Sequence, residues 1–466
     1  MAASLEKPKY TRPRTAARWK HGLLLALFLA LWFLLLIFRL QDSPAHQTKD
    51  VKTNAPAKPD RSPATLAATC DGGDMVYIYE LPPKFNFGLL NDCRRLNIYM
   101  DMCPHVANRG LGQPVAPVLG PGRWHATHQF IGEMIFHARM ERHPCRTNDP
   151  ARAHIFYVPF YGGLYASSKF REQDLRSRDE LAVELAEYLQ GFPWWQRHGG
   201  RDHFLALGRT AWDFMRKSNQ GPDFGANVLL DLPAIKNMSV LTVERQPWSG
   251  LNQYGMPYPS YFHPTTLDQM LTWQDKVRQS ERPYLFSFIG GPRKGLEKAA
   301  VRDELIKQCA ESSQCRLMKC VGGDSKCHSP VEILKAMMSS RFCLQAPGDS
   351  FTRRSTFDSV LAGCIPVFFS RHTAYTQYMW FLPEDHSEYS VYVDAESGGA
   401  LTTKIEDVLS KISAERVEKM RSKVVELIPR LTYAHPNATN LGFKDAVDVA
   451  LETLARHVKS ELSSLS

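Results

Sequence analysis

The sequence predicts an α/β protein of two doubly wound, Rossmann-like domains facing each other across a cleft, preceded by a transmembrane helix. Short apolar runs of strand length alternate with stretches of helical periodicity. That alternation builds parallel sheets covered by helices on both faces. It occurs in two series, separated by residues 246–264, QPWSGLNQYGMPYPSYFHP, which keep no period. Ahead of both lies an uncharged apolar run at 22–38, GLLLALFLALWFLLLIF.

The chain begins with a basic tail, residues 1–21, in which Lys7, Lys9, Arg12, Arg14, Arg18 and Lys20 face one acid, Glu6. Most of the formal net charge of +9 comes from this tail and the segment at 39–69. The remainder is close to neutral, which argues against a nucleic-acid partner. As a helix the 22–38 run is about 25 Å long, enough for a thin bilayer. Basic residues stay cytoplasmic, so the bulk of the chain is expected in a lumen behind a type II anchor. A cleaved signal peptide fits less well, because the run is long for an h-region and no small-x-small site follows promptly. Residues 39–69 are Pro-, Ala-, Lys- and Thr-rich without periodicity and read as a flexible stem.

The first domain is expected at 70–263. Strands are predicted at MVYIYEL (from Met75), AHIFYVPFY (from Ala153), HFLALG (from His203), NVLLDL (from Asn227) and SVLTVE (from Ser239), with helices at 129–141 and 178–190 between them. The second, at 264–466, reads as strand YLFSFIG, helices at 296–310 and 330–339, strand RFCLQA, a helix, strand CIPVFF, and closing helices at 411–427 and 443–462. All ten cysteines lie beyond residue 69, which fits an oxidising lumen. Cys309, Cys315, Cys320 and Cys327 cluster without a C-x-x-C pair, so disulfides are expected there in preference to zinc, with the pairing open. Asn237 and Asn437 head glycosylation sequons.

Ligands of doubly wound sheets bind at the carboxyl ends of the strands. There the chain reads RFCLQAPGDSFTRRSTFDSVLAGCIPVFF, residues 341–369. Gly348 is expected to allow a positive φ and Ser350 to cap a helix starting near Thr352, with Phe357, Val360 and Leu361 on its apolar face and Gly363 ending it. Arg353 and Arg354 would then sit at the positive end of a helix dipole, an unfavourable place unless an anion lies between them. The reading is a diphosphate site, against the plainer one of an Asp349 or Asp358 ion pair and a solvated partner. Arg293 and Lys294, in SFIGGPRKG after the first strand of the same domain, are expected to face the same crevice. Neither loop is a Gly-x-Gly-x-x-Gly or P-loop motif, and the chain has no Asp-x-Asp triplet for a divalent cation. No cofactor or metal is therefore expected, the departing charge being met by arginines and the helix end.

This segment closely resembles the nucleotide-sugar-binding segment of the exostosin-like family of inverting glycosyltransferases, in its plant xyloglucan galactosyltransferase branch. VYIYELPPKFN, IFYVPFYGGLYA, GRDHFLALGRTAWDF, PYPSYFHP and TAYTQYMWFLP resemble the same branch, in order, from about residue 74 to about 455. The resemblance implies a GT-B fold, a single-pass type II Golgi membrane protein, metal-independent transfer from a UDP-sugar with inversion, and a cell-wall polysaccharide acceptor. By motif, Arg293, Ser350, Arg353 and Arg354 would serve the diphosphate, with Gly348 and Asp349 in the turn. Asp358 would accept from ribose hydroxyls, or else form an i,i+4 pair with Arg354.

Inverting transfer also needs a base for the acceptor hydroxyl. Glu244, ending strand SVLTVE beside the crossing, is the first candidate; His203 and Asp213 follow, and His128 and Glu133 come behind them. Sugars stack on aromatic faces, which nominates Trp248, Tyr254, Tyr258 and Tyr261 in the crossing and Tyr375, Tyr378 and Trp380 after the last core strand. The function expected is galactosyl transfer from a UDP-sugar to xyloglucan side chains in cell-wall biosynthesis. UDP-galacturonic acid and UDP-arabinose are alternative donors, an acidic one calling for a further cation such as Lys294, Arg371 or His372. A non-catalytic, anchored glycan-binding subunit of a synthase complex and a two-domain ligand receptor are the competitors from other classes. The partners expected are the UDP-sugar, the polysaccharide, the membrane and other Golgi glycosyltransferases.

Overall fold

The computed structural model describes residue 70 and residues 73–465, apart from 117–118, 121, 218–224, 294, 321–324, 396–400 and 402. The expected tail, anchor and stem, and Lys294, lie outside the described residues. The described residues form one compact unit. The described part is built on two parallel sheets. The first contains β1 (Val76–Ile78), β2 (Arg146–Thr147), β3 (Ile155–Val158), β4 (His203–Thr210), β5 (Ser239–Glu244) and β6 (Gln253–Gly255), in the order β2-β1-β3-β4-β5-β6. The second contains β7 (Tyr284–Gly290), β8 (Cys315–Lys319), β9 (Ser340–Gln345), β10 (Ile365–Phe368) and β11 (Val391–Tyr392), in the order β11-β10-β9-β7-β8. Every strand pair is parallel. The central strands β3 and β5 are buried at every position, as strands between two helical layers should be.

The helices that matter below are α1 (Gly132–Met140), α2 (Gly162–Lys169), α3 (Leu175–Gln190), α4 (Leu267–Gln279), α5 (Val301–Glu311), α6 (Pro330–Met338), α7 (Arg354–Leu361), α8 (Ala414–Leu431) and α9 (Ala446–Leu465). Periodicity placed most of them. It stopped α8 too early, at 427, whereas the helix runs on through Pro429 to Leu431. Proline removes the amide that would have bonded the carbonyl four residues earlier. Here that carbonyl, of Val425, accepts from the buried Gln274 side chain of α4 at 2.7 Å, and the helix continues.

One predicted strand is not a strand. NVLLDL forms a 3-10 turn at Leu229–Asp231, followed by a short helix at Pro233–Lys236. The Asn227 side chain accepts from the Leu229 amide at 3.1 Å, a local bond that competes with sheet pairing. Conversely, β2, β6, β8 and β11 were not expected. Each ends a sheet or is very short, and β8 has no fully buried position, so no apolar run announced it.

The closing helix packs back toward the first sheet. Arg139 of α1 donates to Asp445 at 2.8 Å, with both side chains buried, and His143 meets Asp448 at 2.9 Å. Asp445 also accepts the amides of Ala434, Val447 and Asp448, the full set of bonds that a buried ion pair needs. All ten cysteines are paired, as Cys70–Cys145, Cys93–Cys103, Cys309–Cys315, Cys320–Cys327 and Cys343–Cys364. The last joins β9 to the residue before β10 and so closes the base of the loop-helix segment between them.

Candidate active site

The carboxyl ends of β4 and β9 open onto one cleft of about 570 Å³. The second sheet contributes Asp349 to Arg354, and the first contributes Arg209, Thr210, Trp212 and Asp213 with Trp248 and Tyr258 from the crossing. Arg353 and Arg354 therefore do meet a cavity.

The turn that presents them differs in detail from expectation. Gly348 is not at positive φ. Glycine fits there because a Cβ would lie 1.6 Å from Nη2 of Arg353, whose guanidinium lies against the bare backbone. Ser350 does not cap the helix; its carbonyl accepts from the Gly348 amide at 3.0 Å, tightening the turn. Helix α7 starts at Arg354, with Arg353 extended at the N-cap position and no side-chain cap. The Thr356 amide donates to the Arg353 carbonyl at 3.1 Å, while those of Arg354 and Ser355 find no acceptor among the described residues and stand beside the positive end of the helix dipole. Gly363, at φ 61°, ends the segment as expected.

Arg353 has no ion-pair partner among the described residues, and burial holds its guanidinium below the usual arginine range. A desolvated cation of this kind favours an incoming anion. Arg354 also lines the cleft but is partly spent. It donates to the Thr127 carbonyl at 2.6 Å, lies 3.6 Å from the ring centre of Tyr261, and stands 3.4 Å from Asp358. Arg293 pairs with Asp349 at 3.1 Å on the exposed rim, outside the cleft lining. Asp358 faces away from the cleft, accepting from Ser260 at 2.5 Å and pairing with Arg354, so the ribose role expected of it finds no open oxygen here.

A residue not expected supports the whole turn. Arg302 of α5 is buried and donates to the carbonyls of Gly291, Ala346 and Pro347, tying the loops after β7 and β9 together. Burial lowers its pKa to about 10. Nothing in the sequence distinguishes this arginine from others on amphipathic helices.

On the facing wall Arg209 is satisfied. It donates to Asp213 at 2.7 Å and to Ser167 at 2.9 Å, and its guanidinium lies against Phe130 and Phe170. The β4 end that carries it is held by Glu133, fully buried, which accepts the amides of Gly208, Gly163 and Leu164. Burial outweighs these bonds and pushes the Glu133 carboxyl up to about 7. Of the three first-named base candidates, Asp213 alone lines the cleft.

His203 is the first residue of β4, roughly 20 Å along the strand from the cleft end. It is buried between the Tyr79 hydroxyl at 2.7 Å and Asp202 at 2.8 Å, a core network that excludes a reactive role. Glu244 is fully buried. Oε1 accepts from Trp212 Nε1 at 2.9 Å and the Phe351 amide at 3.4 Å; Oε2 accepts the Thr352 amide at 2.7 Å and hydroxyl at 2.5 Å. With both oxygens occupied it presents no lone pair to an acceptor hydroxyl. His128, which burial lowers to about 3, and Glu133 lie beneath the wall and outside the cleft lining.

The aromatic candidates divide. Trp248 is 63% exposed on the cleft rim, edge-on to Trp212, Phe351 and His372. Tyr258 lines the cleft and shares a 2.9 Å bond with the Thr352 hydroxyl. Tyr375 is stacked on His386 and bonded to Ser390, Tyr378 is buried with its hydroxyl on the Val243 carbonyl, and Trp380 is stacked on Tyr254. These three are packing residues outside the cleft, as is Tyr261 beneath Arg354. Asn237 and Asn437 are both exposed. Among the described residues no three metal-ligating side chains cluster.

The sequence pattern of the exostosin GT47 domain matches residues 72–407. Probable xyloglucan galactosyltransferase GT17 of Arabidopsis thaliana is 64% identical over 399 residues, 86% of each chain. Xyloglucan galactosyltransferase MUR3 of the same plant is 44% identical over 82% of this chain and 62% of its own. Xyloglucan galactosyltransferase XLT2 is 41% identical over 84% and 76%. Among solved structures, a glycosyltransferase from Rickettsia africae aligns over 65% of this chain and 89% of its own at 8% identity, with a TM-score of 0.31, too low to carry an argument.

Proposed function

Because the chain belongs to the exostosin GT47 family of glycosyltransferases, we propose that it moves galactose from UDP-galactose onto a xyloglucan side chain, with inversion, in a GT-B arrangement of its two sheets. The observation that carries the reading is the unpaired Arg353 beside the uncapped start of α7, on the cleft shared by both sheets. The diphosphate would lie there, and the negative charge that grows on departing UDP would meet a fixed cation and backbone amides without reorganisation. Ser350 offers a hydroxyl at the same rim. Across the cleft Asp213 would take the proton of the acceptor hydroxyl while Trp248 offers its face to the glucan backbone. No divalent cation enters this scheme.

Five disulfides support an oxidising compartment, and with the basic tail and apolar run support a type II Golgi protein whose catalytic part is lumenal. Purified protein starting near residue 70 is incubated with UDP-galactose, UDP-galacturonic acid or UDP-arabinose and xyloglucan oligosaccharides, with and without chelator. Galactosylated product of inverted configuration, unaffected by chelator, is expected. Glycan binding without turnover of any UDP-sugar would replace this reading with that of a binding subunit.

A further inference from the structure

Glu244 is one of the places where the two halves of the cleft are physically joined. It belongs to the last position of β5 in the first sheet, yet three of its four donors come from Phe351 and Thr352, in the arginine-bearing loop of the second. The fourth, Trp212, lines the opposite wall. The Thr352 hydroxyl continues the chain to Tyr258, which also lines the cleft. A buried carboxylate that faces only donors is an anchor, because each bond compensates part of its desolvation and none is free for chemistry.

We propose that Glu244 is a positioning residue: it clasps the loop at 349–353 in the shape that aims Arg353 and the α7 amides at the diphosphate, and so couples donor binding to the acceptor wall. The proposal rests on the reading of this loop as the diphosphate site. Holding two consecutive amides of an otherwise irregular loop removes the conformational freedom that UDP would have to freeze on binding. The negative charge of Glu244 also stands close enough to Arg353 to favour its cationic form.

Glu244→Gln tests the clasp. An amide has one accepting oxygen, so whichever way it lies, one pair of donors faces an NH₂ group. UDP affinity and the donor KM are expected to weaken about tenfold or more, with a smaller loss in kcat and an unaltered pH–rate profile. Amide exchange at Phe351 and Thr352 should speed up even without nucleotide. Thr352→Val should give part of the effect, and the double variant should fall short of the sum. If Glu244→Gln does not fold, Thr352→Val carries the same expectations in smaller measure. UDP affinity and loop exchange like those of the wild type, with kcat lost and one limb of the pH profile gone, would overturn the clasp and restore a base. A wild-type protein that binds no UDP-sugar would sink the functional reading instead, and the exchange measurement would still decide whether Glu244 holds the loop.

Discussion

The end of β4 and the turn after β9 face each other across the cleft, and both carry an arginine. Arg209 on the first has a carboxylate, a hydroxyl and two aromatic faces for company. Arg353 on the second has a bare glycine against its guanidinium and no ion pair among the described residues. The difference teaches what to look for: a satisfied arginine builds a wall, and an unsatisfied, desolvated one waits for an anion. It also explains why charge counts along the sequence are poor guides, since both turns show basic residues near acids.

The comparison breaks most sharply at Arg353. Arg353→Ala should cut transfer about 10³-fold, the scale for removing a preorganised charge from a transition state, and weaken UDP binding in calorimetry while leaving the melting temperature intact. Unchanged UDP affinity would equate the two arginines. Gly348→Ala should follow, because its methyl group must displace the Arg353 guanidinium. We expect UDP affinity to fall about 10-fold to 100-fold with stability reduced by about 1–3 kcal/mol, the usual cost of overpacking, read by denaturant titration. On the other wall, Trp248→Ala should raise the acceptor KM about tenfold and leave the donor KM and stability essentially unchanged, as expected of a largely exposed side chain.

The smallest effect expected at neutral pH is on stability. Burial lowers His125 and His435 to about 4 and His128 and His263 to about 3. Their unfolded forms take up protons near the ordinary histidine value while the folded forms do not. The stability they contribute is therefore complete above pH 6.5 and is lost as pH falls toward 3–4. Glu133, raised to about 7, acts in the opposite direction: its contribution improves as pH falls from 7 toward its ordinary value. The lowered histidines, His137 among them, outnumber Glu133, and the raised Asp358 and Asp445 are set against the lowered Asp202 and Asp448, so thermal melts should be level from pH 8 to 7 and decline below pH 6.5. A melting temperature that climbs between pH 6.5 and 5 would reverse the balance.

Parallel α/β character was legible because β3 and β10 are apolar runs, β5 and β9 are apolar at their centres, and amphipathic helices separate them. Edge strands were not legible, since a strand with one covered side needs no apolar run. The cleft position of residues 349–354 was legible from the strand-turn-helix pattern, and Trp248, Tyr258 and Asp213 reached the same cleft. Glu244, His203 and Asp358 did not, because whether a polar side chain faces a cavity depends on partners far away in the chain. Glu244 meets Thr352, Asp358 meets Ser260, and His203 meets Tyr79.

By itself the sequence determined the secondary-structure alternation, the cysteine-rich character of the body and the chemical kind of the loop after β9. These follow from local periodicity and composition, which need no partner to express them. Only the tertiary structure decided which charges are spent and which are available. Desolvation and pairing are properties of a neighbourhood, and the neighbours of Arg353 and Glu244 are set by the meeting of two sheets.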